Sequence, residues 1–250
     1  MNLQRLYQFA AMALLALVLT NCSMEEQLEL DPQPAASSTC RSLTDAQIEQ
    51  LGVQHNEALT AFFENFDYSS SDYNAELVAQ MMGANVADLS NADKQYVLGL
   101  EMDFEASIGE LPNAAQVSGF TNQIEEAILN SATINVMEAE FSGIELNARQ
   151  NLDCGDLEVV LSMLSVSRHS AHFWLPASQG GSGEGQVILE GLGVPPSAAR
   201  DIVRADGQGV ATACIRFAVF AAFGGPAGAG ALFGGMIFAG AAASAWAALG

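Results

Sequence analysis

The chain has 250 residues, of which 29 are acidic and only 8 are basic, so its formal net charge at neutral pH is −21. A protein this acidic repels phosphate backbones and anionic lipid surfaces, which argues against nucleic-acid binding. The excess of acidic residues is typical of a highly soluble exported protein. The alternative interpretation is that an acidic face attracts cationic partners or divalent ions. The length is enough for one or two domains with a sizeable core.

Residues 1–21 have the pattern of a secretory signal. Arg5 supplies a positive charge, and an apolar run over residues 13–19 follows it. Cys22 stands at the cleavage point, and together these features resemble the lipobox of bacterial lipoproteins. The resemblance implies that Cys22 becomes the acylated first residue of the mature chain and that its lipid supplies membrane affinity.

Residues 22–41 are predicted to form a lipidated flexible tether, because acids are followed by a stretch rich in Pro, Ala and Ser. Ser23, Glu25 and Glu26 look like the export signal of surface-exposed lipoproteins in the Bacteroidetes group. The alternative is an ordinary acidic tether facing the periplasm. We therefore predict an outer-membrane or cell-surface lipoprotein of a Gram-negative bacterium.

Residues 42–177 are predicted to be an acidic helical body. Ser42 and Thr44 are suitable N-caps ahead of a run of apolar residues with helical spacing. That run comprises Ile48, Leu51, Leu59, Phe62, Phe63 and Phe66. The further helical candidates are Asn74–Met82, Asn91–Ala106, Ala114–Ser131, Thr133–Asn147 and Asp156–Trp174. No segment alternates with period two, so the fold class is all-α, an irregular helical bundle that ends in an Ala/Gly-rich apolar helical hairpin.

Residues 178–194 are predicted to be a Gly-rich linker. A phosphate-binding loop is a poor match, because no strand precedes the glycines and no lysine follows them. Pro195 and Pro196 then open another helix, since proline is well tolerated in a first turn. Residues 195–250 are thus predicted to be one unit, a helix followed by a glycine-zipper apolar hairpin.

Residues Val210–Leu249, called here the apolar tail, contain a single charged side chain, Arg216. A breaker at residues 224–228 divides the tail into a proximal half, Ala211–Phe223, and a distal half, Ala229–Leu249. As a helix the distal half would be about 31 Å long, close to the thickness of a bilayer's hydrocarbon core.

Small residues recur in order along the tail. The stripe comprises Ala227, Ala231, Gly235, Ala239, Ala243 and Ala247 at every fourth position, with Gly230 and Gly234 as a separate GxxxG pair. Such stripes let helix backbones approach closely in an apolar solvent. The stripe therefore predicts that the tail inserts into membranes or oligomerises, and the alternative is a hairpin buried in the core of the bundle.

Two further motifs accompany the lipobox: His55-Asn56-Glu57-Ala58-Leu59, and residues 202–209 leading into the tail. Together they resemble uncharacterised Bacteroidetes exported proteins that end in glycine-zipper tails. The tail alone is similar to bacteriocin-like pore-forming peptides. The resemblance implies a pore-forming or toxin-like role and supplies no catalytic residue.

The remaining cysteines and the histidines offer two candidate sites. Cys40 and Cys154 are a candidate disulfide in an exported protein, which leaves Cys214 as a small apolar thiol. His169 and His172 lie at i, i+3 on one helix face and are weak metal candidates, because the glutamate of an HExxH site is missing. The alternative for this pair is a solvated or hydrogen-bonded surface role, and no cofactor is predicted.

No nucleophile, Walker or paired-carboxylate pattern is present, so the chain is predicted not to be an enzyme. The expected function is a lipid-anchored exported protein whose glycine-zipper hairpin inserts into membranes or oligomerises. Its expected partners are the membrane, through Cys22 and residues 210–249, and a second copy of the chain. The alternative function is a non-catalytic helical lipoprotein that binds a protein partner and buries the hairpin as core.

Overall fold

A computed structural model describes residues 43–64, 66–68 and 103–216, together with seven positions near the C-terminus. Those positions are Met236, Ile237, Gly240, Ala243, Ser244, Ala247 and Ala248. The described residues are 84% helical and contain no strand, which confirms the all-α prediction. Cys22, the tether and most of the predicted segments between residues 74 and 106 lie outside the described residues.

Seven helices are described. They are α1 (Asp45–Glu64), α2 (Phe104–Gly109), α3 (Ala114–Asn130), α4 (Ile134–Asn151), α5 (Cys154–Trp174), α6 (Glu184–Leu192) and α7, which begins at residue 199 and is described to residue 216. Short 3-10 turns, Ala177–Gln179 and Pro196–Ala198, precede α6 and α7. The predicted bounds of α3, α4 and α5 agree with the structure to within four residues.

Helix α1 begins at a capping box. Thr44 Oγ1 accepts from the Gln47 backbone N–H at 3.2 Å, and Gln47 Oε1 accepts from the Thr44 N–H at 2.9 Å. This reciprocal pair satisfies two donors that the first turn leaves free. Leu43 just before the cap and Ile48 in the next turn are both buried, which fixes the direction in which the chain enters the helix.

Helix α5 is the centre of the fold and is buried on nearly all sides. Helices α1, α3, α4 and α6 pack around it. Helix α1 runs parallel to α5, because Leu43 contacts Glu158 near the start of α5 and Phe63 packs edge-to-face on Trp174 at its end. Helices around a buried central helix can present residues from distant parts of the chain to one point.

Helix α7 runs antiparallel to α5 on another side. Asp206 meets Ser170 in the last turns of α5, whereas Cys214 lies beside Ser162, two turns earlier. At the crossing, a Cβ on Gly207 would lie 2.4 Å from Ser167 Oγ, so a larger residue at 207 would make the Ser167 side chain shift. The predicted body and the predicted C-terminal unit therefore contribute to one core.

The structure differs from the predicted Gly-rich linker at residues 178–194. Gly180 and Gly183 have φ values of 96° and 82°, and the Ser182 N–H donates to His172 O at 2.7 Å, so the glycines form a turn that caps the end of α5. The rest of the segment is helix α6. The prediction failed because the apolar residues Val187–Leu189 are too few to show a helical period between flanking glycines.

The described part of the apolar tail is helical and packs in the core. Residues 211–216, the start of the proximal half, continue α7, with Ala211, Ala213 and Cys214 buried. In the distal half Met236, Ile237 and Ala248 are buried hydrophobic residues of the same core. Among the described residues, no helix has the length and apolar character needed to cross a membrane.

Candidate functional site

A cluster of four polar side chains is sealed inside the bundle where α1, α5, α7 and the distal half of the tail meet. The cluster comprises His55, Ser170, Asp206 and Ser244, each with an exposed fraction of 0%. Buried polar groups are costly unless they are paired, so such a convergence is a candidate site rather than ordinary core.

Asp206 lies at the centre of the cluster. Its Oδ2 accepts a hydrogen bond from Ser170 of α5, and its Oδ1 accepts one from Ser244 of the distal half. Burial raises the pKa of Asp206 to about 8, although the two hydroxyl donors partly oppose that rise. The indole Nε1 of Trp174 is close to this carboxyl but has no partner of hydrogen-bonding geometry among the described residues.

His55 contributes the second titratable group. Its Nε2 lies 3.7 Å from Asp206 Oδ2 and, among the described residues, has no hydrogen-bond partner. Burial lowers the pKa of His55 to about 4, so the imidazole is neutral at pH 7. Since Asp206 keeps its proton up to about pH 8, the pair holds one proton over the neutral range.

The hydrogen-bond network assigns the tautomer of His55. Asn56 Nδ2 donates to the His169 carbonyl at 2.8 Å, so Asn56 Oδ1 is the end that faces the His55 ring at 3.2 Å. An amide oxygen only accepts, which places the ring hydrogen on Nδ1. Nε2 is then unprotonated, and the backbone of Gly240 also interacts with the ring. The proton of the pair is therefore on Asp206, and the 3.7 Å separation from His55 Nε2 is too long for a hydrogen bond.

Gly240 brings the distal half into this position. A Cβ on Gly240 would lie 2.7 Å from Val210 Cγ2 on α7 and 2.8 Å from His55 Cδ2 on α1. Real Cβ atoms do not approach so closely, so a glycine is required. Ser244 stands one turn after Gly240 and thereby reaches Asp206.

The face of the distal half that packs on the body is adjacent to the predicted stripe, not identical with it. The buried positions are Met236, Gly240, Ser244 and Ala248, at intervals of four. Of the predicted stripe, Ala243 and Ala247 are helical and half-buried beside that face. Ala227, Gly230, Ala231, Gly234, Gly235 and Ala239 lie outside the described residues, so a role of the stripe in membranes or oligomers stays a prediction.

The structure separates the two histidines of the metal hypothesis. His169 Nε2 contacts Glu49 of α1 at 2.9 Å, whereas His172 Nε2 lies 3.5 Å from Glu138 of α4. The two side chains therefore have different carboxylate neighbours. Within the part of the chain that the structure describes, no three potential ligands come together to hold a metal ion.

Cys154 is disulfide-bonded, and its partner lies outside the described residues, so the pairing with Cys40 stays a prediction. Cys214 is a free, buried thiol, and burial raises its pKa. It is surrounded by core and behaves as a small apolar residue.

An open groove of about 450 Å³ lies on the outer side of α1. It is lined by residues of α1, by His169 and by Glu184, and its acids include Glu57 and Glu64. Asn56 lines this groove and also contacts His55, so its side chain links the groove to the buried cluster.

The cluster is not arranged for nucleophilic catalysis. A Ser-His-Asp triad requires the serine hydroxyl to donate to the imidazole. Here both serine hydroxyls donate to Asp206 instead. What the arrangement can do is hold the distal half against the body by a hydrogen bond whose acceptor changes charge with pH.

Both titratable members could have been found in the sequence. His55 lies four residues from Leu51 and from Leu59, and Asp206 lies three residues after Val203 and four before Val210, so each interrupts the apolar face of its helix. Both also belong to the two motifs that carry the resemblance to exported proteins. Comparison with protein-family models, with curated proteins and with solved structures found no match.

Proposed function

We propose that this chain is a lipid-anchored exported protein whose helical body stores the distal half of the tail and releases it to a membrane or to a second copy. The observation that carries the proposal is the seating of the distal half, with Gly240 against α1 and α7 and Ser244 bonded to Asp206. The lipobox at Cys22 supplies the anchor, and residues 22–41 supply the tether.

The polar cluster against which the distal half packs favours reversible storage of the distal half over a permanent core. A permanent core is most stable when it is apolar, because an unpaired buried carboxyl or imidazole costs free energy. Here Asp206 and His55 both belong to the body, and the distal half contributes only the hydroxyl of Ser244. On leaving, the distal half would take with it small and apolar residues that suit close packing in lipid.

An engineered disulfide that joins the distal half to α7 tests storage and release in a single folded protein. A Cβ on residue 240 would lie 2.7 Å from Val210 Cγ2, which is one C–C bond from Val210 Cβ. Cysteines at 240 and 210 would therefore have Cβ atoms no more than about 4 Å apart, within the reach of a disulfide. The variant is Val210→Cys/Gly240→Cys in mature protein that carries Cys22→Ser and Cys214→Ala. Zwitterionic, dye-loaded vesicles are the target, because the net charge of −21 disfavours anionic ones.

We expect the parent lacking the engineered pair and the reduced variant to bind the vesicles and release dye, and the oxidised variant to do neither. The parent is the decisive sample for release, because the new Cβ at 240 would also lie 2.8 Å from His55 Cδ2 and could loosen the reduced variant by itself. The parent lacking the engineered pair, tested with and without reductant, controls for reduction of the Cys154 disulfide. Formation of the engineered disulfide is verified by mass spectrometry. A parent protein, with Gly240 in place, that stays monomeric and does not bind the vesicles would refute storage and favour the buried hairpin as permanent core.

A second candidate, binding of a protein partner, rests on an exposed stripe of α4. Val136, Ala139, Gly143 and Leu146 recur at intervals of three and four, and Val136 and Leu146 are 45% and 61% exposed. Glu140 and other acids flank the stripe, so the fitting partner has an apolar centre and a basic rim.

Leu146→Glu tests this binding surface, with Val187→Glu on α6 as the matched control because Val187 is exposed elsewhere on the body. Chemical crosslinking on intact cells should lose one discrete partner with the first variant and keep it with the second. A partner retained by both variants would exclude α4 as the binding surface.

A further inference from the structure

The polar cluster at the tail's seat joins four elements through one carboxyl. Ser170 of α5 and Ser244 of the distal half bind the two oxygens of Asp206, and His55 of α1 faces the same group at 3.7 Å. Within the described residues, Ser244 is the one side chain of the distal half that makes a polar contact with the body. The contact that holds the tail is therefore made to a titratable atom.

We propose that Asp206 and His55 form a protonation-controlled latch on the distal half of the tail, which holds while the pair keeps one proton and loosens when that proton is lost. The latch would regulate the proposed storage of the distal half, and the inference rests on that proposed function. Opening of the latch can nevertheless be measured without any membrane.

The environment of the pair determines the direction of the effect. The ionisable group that faces Asp206 is His55, while α5 offers Ser170 and Trp174 and the distal half offers Ser244. On the outer side of His55 lies His169, whose Nε2 contacts Glu49 and whose electrostatic effect lowers the pKa of His55 further. No cation among the described residues is thus placed to compensate an ionised Asp206.

Proton counting gives the expected pH dependence. In the open state the two groups titrate near their ordinary values, about 4 for Asp and about 6.5 for His. Burial raises the pKa of Asp206 to about 8 and lowers that of His55 to about 4, so the closed pair keeps one proton between these values. Open and closed states hold the same number of protons from about pH 4 to 6.5, and only the closed state keeps a proton from about 6.5 to 8.

The open fraction should therefore be flat below about pH 6.5 and should rise about tenfold per pH unit up to about pH 8, roughly thirtyfold in all. Opening is read from the labelling rate of a cysteine at position 248, which is 1% exposed on the seated face. The protein carries Ala248→Cys with Cys22→Ser and Cys214→Ala, and each rate is divided by that of the same thiol in the unfolded chain at the same pH.

Two variants separate the latch from general loosening. Asp206→Asn keeps the shape of the side chain but cannot lose a proton, so the open fraction should not rise between pH 6.5 and 8. Ser244→Ala should raise the open fraction at every pH while keeping the slope, because Asp206 still titrates. A flat wild-type profile, or a rise that survives Asp206→Asn, would overturn the latch.

A second measurement does not depend on any variant. Infrared spectroscopy of the wild-type protein at pH 7 should show the carbonyl stretch of a protonated carboxyl, and the band should vanish as the pH passes about 8. Its absence at pH 7 would also overturn the latch. Storage is refuted separately if the parent protein without the engineered cysteines does not bind vesicles while the open fraction still follows pH.

Discussion

His55 and Asp206 carry the most information of any residues in this chain because each is a polar residue in an apolar pattern. Helical spacing places both on faces that must be buried, yet neither can be buried without a partner. Their separation in sequence hides the fact that they are partners. A polar residue on the buried face of a predicted helix is thus a useful search criterion, although it does not say which two such residues meet.

Glycines at helix crossings are the second residue-scale feature. A Cβ on Gly52 would lie 2.2 Å from His169 Cδ2 and 2.7 Å from the backbone oxygen of Ser165. We predict that Gly52→Ala lowers the free energy of unfolding by about 1–3 kcal/mol, because α1 must move away from α5.

Gly143→Ala is the matched control for Gly52→Ala. Gly143 is an exposed position inside α4 where a Cβ would meet nothing within 4 Å. This change should stabilise the protein by about 0.5–1 kcal/mol through helix propensity. Urea unfolding followed by circular dichroism measures both, and equal effects of the two changes would contradict the crossing geometry.

Among the elements, apolar periodicity predicted helices α3, α4 and α5. It did not predict the turn and helix that follow α5. The glycines there resemble a linker in composition, but they act as a cap that turns the chain back onto α5. A Cβ on Gly185 would lie 2.4 Å from Trp174 Cε3, so helix α6 packs directly on the end of α5. The glycine content of a segment indicates that its backbone can be flexible. It does not show the tertiary contacts that hold these glycines in one conformation.

The glycine turn that caps α5 can be tested by substitution at Gly181. A Cβ on Gly181 would lie 1.8 Å from the Leu175 oxygen, so Gly181→Ala must displace backbone and should lower the free energy of unfolding by about 2 kcal/mol or more. Gly193→Ala is the control, since its φ of 71° is strained for alanine but its surroundings are open, with a cost of about 1 kcal/mol. Thermal melts that rank the two in the opposite order would refute the capping role.

At the scale of the whole molecule, the disulfide of Cys154 ties the start of α5 to a part of the chain outside the described residues. The Leu43 N–H contacts Glu158 at 3.4 Å, one turn after Cys154, and Leu43 is three residues after Cys40 in the sequence. We predict the pair Cys40–Cys154, which a non-reducing digest analysed by mass spectrometry identifies directly.

Reduction of that disulfide should lower the free energy of unfolding by about 2–5 kcal/mol, because the closed loop is long and its loss frees the unfolded chain. Cys214→Ala serves as the control and should leave the response to reductant unchanged, since this thiol is unpaired. A digest that links Cys154 to any other cysteine would contradict the pairing.

Local periodicity and composition were enough to predict the helical class, the bounds of α3 to α5 to within four residues and the apolar character of the tail. No local pattern reveals that Gly240 and Ser244 pack the distal half against the body, or that Asp206 and His55 meet inside the bundle. Those outcomes depend on which helices cross and how closely, and contacts between residues far apart in the chain leave no periodic signal in either partner.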